Sequence, residues 1–195
     1  MTEPDLFLAA QAALGHVVTQ ISNEQWDEEV PPGMSARQPS ASLRQIINYH
    51  AYDNAWVPDT LHGKTIAEVG DTYDGDLLGE NPKANFARIA QAATNAVRHL
   101  KDEDMTKTAH LSYGDFPITD YLTHISIFAG LRSYDIAKFI GADPTLPTEL
   151  VQGLWDAIEP QAEDLRAMGV FGSLIDIPVE ADLQSRLLGL TGRQP

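Results

Sequence analysis

The sequence predicts an all-α protein: a helical bundle followed by an accessory C-terminal part. Several segments repeat apolar residues at every third or fourth position, the spacing that lines one face of a helix. No segment shows the clear ladder of alternating residues that a sheet would need. With 195 residues and 43% hydrophobic composition, the chain is long enough to form one domain with a real core.

Charge and composition exclude several classes of function. The formal net charge of −15 argues against binding to nucleic acid or to an anionic membrane, because both need basic patches. The chain has no cysteine, so disulfides, thiolate zinc sites and a cysteine nucleophile are excluded. No apolar run approaches membrane-spanning length, and the first residues lack the basic region of a secretory signal. A cytoplasmic location is therefore expected.

The first half of the chain predicts two helices and a long crossover. The first helix is expected over Pro4–Ile21, and the second over about Ala41–Thr60, with Ser40 or Ser42 as its cap. The segment His62–Asn81 is rich in glycine and aspartate, and a crossover of this length is usually functional or spans a bundle. Its aspartates do not follow a calcium-binding loop pattern, so a solvated turn is expected there; they are Asp71, Asp74 and Asp76.

The second half predicts two further long helices. One is expected over Pro82–Leu100, capped by Asn81. A polar connection follows, with a short extended piece at Thr108–Ser112. The longest helix is expected over Asp115–Gly141, with Asp115 as the N-cap, Pro117 in the first turn and the glycine as the stop.

The last part of the chain, 142–195, predicts an extension to the core at 1–141 within a single domain. A helix is expected over Thr148–Gly169, kinked or split by Pro160. An extended stretch around Leu174–Pro178 and a last helical turn through Leu183, Leu187 and Leu188 complete it.

Two polar residues interrupt the apolar faces of the predicted helices and mark the candidate site. His50 lies in the middle of the stripe of the second helix, and Arg132 lies in the middle of the longest helix. A charge buried alone is costly, so Arg132 needs a partner. Asp53, one turn after His50, is the candidate by spacing. Alternatively, the guanidinium receives the carboxylate of a ligand, which arginine binds well in fork geometry.

Five segments of the sequence resemble a known family. They read IINYHAYDNAWV, YDGDLLGENP, SYGDFPITDYL, YDIAKFIGADPTLPTELV and FGSLIDIPVEADLQSRLLGLTGRQP. The chain resembles the DinB/YfiT-like superfamily, and in particular the actinobacterial branch related to the metal-binding domain of mycothiol-dependent maleylpyruvate isomerase. The resemblance implies a four-helix bundle with a long crossover between the second and third helices.

The resemblance also implies a divalent metal, zinc or nickel, held by three side chains in the bundle. His50 stands at the first ligand position, but Phe128 and Arg132 stand at the other two. Phenylalanine has no donor atom and arginine stays protonated, so only His50 is carried over as a metal ligand. His124, two turns before Arg132, would become a second ligand only if the helix turned.

Three functions follow as alternatives. In the first, the family metal site is degenerate, and Arg132 holds a small anionic molecule between aromatic walls or the protein is catalytically inactive; the walls are Phe128, Tyr134 and Trp56. In the second, a divalent metal activates a thiol such as mycothiol, and the protein is a transferase or isomerase. In the third, the protein is a structural homodimer that pairs through the alanine-rich face at Ala87–Ala96.

Overall fold

A computed structural model describes residues 1–34 and 40–195 and is mostly helical. The all-α class is therefore confirmed. The described chain forms two compact units, Thr2–Pro144 and Thr145–Pro195, the latter together with Met1. The elements of the first unit are α1 Glu3–Gln20, α2 Leu43–Leu61, α3 Ile66–Val69, α4 Pro82–Arg98, β1 Thr108–Leu111, β2 Gly114–Pro117 and α5 Ile118–Ile140.

The core of the first unit lies between its four long helices. Helix α1 packs on α5 and α4, and α2 packs on α4. Helix α5 is buried over most of its circumference, and its buried residues include the polar Ser126, Arg132 and Ser133. The core cluster at one end of these helices consists of Phe7, Val57, Ala93, Val97, Ala109, Ile118, Tyr121, Leu122 and Ile125.

Local sequence signals set most helix ends where they were predicted. Ser42 caps α2 in a reciprocal capping box with Gln45, which settles the choice between the two serines. Gly141 ends α5 in the left-handed conformation, with φ of 73°. The predicted cap at Asn81 is wrong, because its side chain makes no capping bond. Asn81 precedes a proline, which restricts its backbone. The side chain of Asn85 in the first turn of α4 donates to the carbonyl of Leu78 in the crossover at 2.8 Å.

The predicted start of the longest helix is also wrong. The predicted extended piece is present as β1, but it pairs with β2, which occupies residues expected to be helical. Asp115 faces His110 across this hairpin and contacts its Nδ1 at 2.8 Å instead of capping a helix. The backbone N–H of Ile118 donates to the carbonyl of Lys107 at 2.9 Å, so α5 begins only after the hairpin.

The crossover is fastened to α2 by polar side chains. Arg44 donates to Asp76 at 2.9 Å, and the same carboxylate accepts from the backbone N–H groups of Leu78 and Gly79. Asn48 accepts from the backbone N–H of Leu77 at 2.8 Å. The expectation of a solvated turn was therefore incomplete, because Asp76 holds the crossover against the helix.

The second unit contains three helices and an extended segment. They are α6 Thr148–Ile158, α7 Ala162–Ala167 and α8 Leu183–Leu190. The predicted split at Pro160 is confirmed, since a 3₁₀ turn over Glu159–Gln161 separates α6 from α7. Helix α6 packs on α8, where the guanidinium of Arg186 lies 4.6 Å from the ring centre of Trp155. In the described part of the chain, no helix is both long and apolar enough to cross a membrane.

Candidate functional site

Phe128 of α5 brings His50 and Arg132 together. The imidazole of His50 on α2 stacks on the Phe128 ring, with centroids 4.6 Å apart and planes at 30°. Arg132 follows one turn later on α5, and its Cζ lies 5.5 Å from the same ring centre. These two distances limit the separation of imidazole and guanidinium to about 10 Å. His50 is 3% exposed and Arg132 is 6% exposed, so both polar groups lie inside the helical unit.

Tyr49 completes the aromatic surroundings of this site. Its ring meets Phe128 edge-on, with centroids 5.7 Å apart and planes at 82°, a favourable geometry for aromatic pairs. It also lies 6.3 Å from the ring of His50, its neighbour in the chain. The sequence reasoning missed Tyr49, because its position falls outside the main apolar stripe of α2.

The structure gives Arg132 an ion pair with Asp135. The Nη1 of Arg132 lies 3.4 Å from Oδ2 of Asp135, three residues later on the same helix, and the two side chains are only 8% and 14% exposed. The i, i+3 spacing is a signal that the sequence carried. The pairing of Asp53 with Arg132 stays a prediction.

Desolvation of the Tyr113 hydroxyl raises its pKa to about 12, and the Asp53 carboxylate adds to this shift.

The imidazole of His50 is neutral at physiological pH. Burial is the larger cause and the positive charge of Arg132 the smaller one, and together they lower the pKa of His50 from 6.5 to about 3. Arg132 therefore supplies the positive charge of this site, and Asp135 balances part of it. Among the described residues, Nε2 of His50 has no hydrogen-bond partner.

A buried amide pair continues the polar site along α2. Asn54, one turn after His50, donates through Nδ2 to Oε1 of Gln11 on α1 at 2.9 Å. Both side chains are almost fully buried. The Oδ1 of Asn54 has no hydrogen-bond partner within the described ranges. Sequence reasoning missed Gln11, although its place on the buried face of α1 was visible from the helical period.

The other predicted site residues lie in different surroundings. Tyr134 is buried, and Nζ of Lys138 lies 5.4 Å from its ring centre. Trp56, which had been predicted as a wall of the site, packs in a separate aromatic cluster with Tyr52 and Tyr73. His124 lies against the rings of Tyr113 and Phe116, both in the β1–β2 hairpin. It is not among the aromatic rings that lie against Phe128. Burial lowers the pKa of His124.

The donor atoms at this site do not fit a three-ligand metal centre. His50 offers one imidazole nitrogen, Phe128 offers no donor, and Arg132 keeps its proton at any accessible pH. The guanidinium charge also opposes a cation beside Phe128. Over residues 1–34 and 40–195, no group of three histidine, cysteine or acidic side chains could hold an ion.

No family model, no curated protein and no solved structure matches this chain, so the resemblance to the DinB/YfiT-like superfamily rests on the sequence segments alone.

Proposed function

We propose that the chain is a DinB-like protein that binds a small carboxylate without a metal ion. The long helices α1, α2, α4 and α5, with the crossover between the second and the third of them, agree with the architecture that the resemblance implies. The carboxylate would bind to Arg132, beside the neutral imidazole of His50 and the ring of Phe128. The observation that carries this proposal is a buried guanidinium and a buried imidazole in contact with one aromatic ring.

The guanidinium is held in place before a ligand arrives. Asp135 contacts one of its nitrogens, and the guanidinium Cζ lies over the Phe128 ring within cation–π distance. A guanidinium has five N–H donors in a rigid fork, so it can serve a structural acceptor and a ligand carboxylate at once. An anchor that is already ordered loses little conformational entropy on binding, which favours affinity.

The charges at the site favour an anion over a cation. His50 adds no positive charge because it is neutral. Arg132 is only 6% exposed, so little water reaches its guanidinium. Low local polarity strengthens the attraction between Arg132 and a ligand carboxylate. Phe128 and Tyr49 provide apolar contact for the carbon part of such a ligand.

Thermal unfolding in the presence of acetate, butyrate or benzoate tests the proposal. A carboxylate at 100 times its Kd stabilises the folded protein by about 2.7 kcal/mol, a shift of several degrees in Tm. We expect the shift to disappear in Arg132→Met and to persist in the control Arg88→Met, which changes an exposed arginine of α4. Stabilisation that survives in Arg132→Met, or none with any carboxylate, would overturn the proposal.

Two rival functions predict different outcomes in these measurements. If the ion pair and the stacked rings serve only to fill the interior, no carboxylate changes Tm, while Arg132→Met still lowers it. If the protein is a metal-dependent thiol transferase, elemental analysis finds one equivalent of zinc or nickel, which His50→Phe removes. Metal bound in that way would replace the carboxylate proposal.

A further inference from the structure

Two buried polar atoms of α2 need a hydrogen-bond partner beside the carboxylate anchor. Nε2 of His50 and Oδ1 of Asn54 are both buried, and the residues that the structure describes offer neither of them a partner. Residues four apart on a helix lie on the same face, with Cβ atoms about 5–6 Å from each other. Buried polar atoms without partners are rare in proteins and commonly mark the place of a ligand or an ordered water.

The hydrogen bond between Asn54 and Gln11 determines which atom of Asn54 is left to accept a further hydrogen bond. In the structure its Nδ2 donates to Oε1 of Gln11 at 2.9 Å, which leaves Oδ1 as an acceptor. The missing group must therefore supply a hydrogen. His50 is neutral, so its Nε2 either donates or accepts according to the tautomer.

The charge of Arg132 decides which kind of donor fits. An ammonium group would bring a second positive charge close to the guanidinium in an interior that screens charge poorly. A hydroxyl group is uncharged, donates one hydrogen and also accepts through its oxygen. It can donate to Asn54 Oδ1 while it accepts from the Nε2–H of His50, which satisfies both buried atoms at once.

The imidazole of His50 lies within about 10 Å of the carboxylate anchor, and Asn54 follows it one turn later on α2. His50 and Arg132 both lie against Phe128, so a short carbon chain can extend from one to the other. We propose, as a step that rests on the proposed function, that the ligand is a short hydroxycarboxylate. Its carboxylate binds Arg132, and its hydroxyl binds between His50 and Asn54.

Calorimetric titration of the full chain with butyrate and with 2-, 3- and 4-hydroxybutyrate tests this assignment. The four probes share one carbon skeleton, so any difference in Kd reports on the hydroxyl and its position. We expect at least one hydroxy acid to bind about tenfold more tightly than butyrate, which is the effect of one buried hydrogen-bonding position. The ratio of the Kd of butyrate to the Kd of that hydroxy acid should fall to nearly one in Asn54→Leu and in His50→Phe. It should stay at about ten in Asn95→Leu, a control on the exposed side of α4.

The outcomes separate this inference from the proposed function. If butyrate and all three hydroxy acids bind equally well through Arg132, the hydroxyl position is refuted and carboxylate binding stands. If none of the four binds, the hydroxycarboxylate inference fails, and the proposed function fails with it when acetate and benzoate also leave Tm unchanged. A hydroxyl preference that survives in both variants refutes the assignment to His50 and Asn54. The comparison of butyrate with the hydroxybutyrates uses the unmodified chain. It therefore tests the hydroxyl position even if a variant does not fold.

Discussion

Acid should destabilise this protein through His50, because the folded state keeps that imidazole neutral. The pKa of His50 is 6.5 when the side chain is exposed and falls to about 3 in the folded protein. Between these values the unfolded chain binds one proton more than the folded chain. Stability therefore rises with pH across this window. The contribution is fully present above pH 6.5 and is lost progressively as the pH falls towards 3.

The size of this loss of stability follows from the pKa shift of His50. Each pH unit below 6.5 costs about 1.4 kcal/mol until the folded-state pKa is reached. Lowering the pH from 7.5 to 5 should therefore cost about 2 kcal/mol through His50 alone. That is a large part of the 5–15 kcal/mol roughly typical of a folded domain.

Urea unfolding at pH 7.5, 6 and 5 measures this loss. Trp155→Phe removes the tryptophan of the second unit, so fluorescence then reports on Trp26 and Trp56 in Thr2–Pro144. In this background, the free energy of unfolding of His50→Gln should depend less on pH than that of the parent. The difference at pH 5, relative to pH 7.5, should be about 2 kcal/mol.

If the free energy of unfolding falls by the same amount in the parent and in His50→Gln between pH 7.5 and 5, His50 is not the cause of the loss. His99→Gln is the matched control, because this histidine is exposed, unlike His50. His124→Gln should reduce the dependence in the same direction as His50→Gln, since burial also lowers the pKa of that imidazole.

Three further predictions concern packing and assembly. Arg132→Met should lower the free energy of unfolding by about 3 kcal/mol, because Asp135, whose side chain is only 14% exposed, loses the cation of this ion pair; Arg132→Met combined with Asp135→Leu should recover much of this in urea titrations. Gly189→Ala should destabilise the second unit by about 2 kcal/mol, because its Cβ would collide with the extended segment before α8. Gly15→Ala is the control: it meets nothing within 4 Å in α1 and should raise Tm slightly. Light scattering should give twice the mass of 21.3 kDa if the predicted homodimer forms, and Ala92→Arg should halve the value with Tm unchanged.

Much of the fold could be predicted because helix signals are local. The capping box at Ser42, the glycine stop at Gly141 and the proline break at Pro160 each act within a few residues. The start of α5 could not be predicted in this way. Asp115 and Pro117 form a plausible helix start by themselves, but pairing with β1 satisfies the same backbone groups and takes those residues into a strand.

The candidate site was predicted in part, because buried polar residues stand out in an apolar stripe. The position of His50 and Arg132 on inward faces followed from the helical period, and the structure places both against Phe128. The surroundings of Trp56 did not follow, because helical position alone does not say which neighbouring element a side chain will meet. The crossover supplies that neighbour, Tyr73.

By itself, the sequence determined the helical class, most helix ends and the presence of two polar groups in the core. These depend on the preferences of neighbouring residues and on a period of 3.6 residues, both of which can be read along the chain. Only the tertiary structure decided that Arg132 contacts Asp135, and that Asn54 bonds to Gln11. Such partners depend on the rotation of each helix and on distances between residues far apart in the chain, which local preferences leave open.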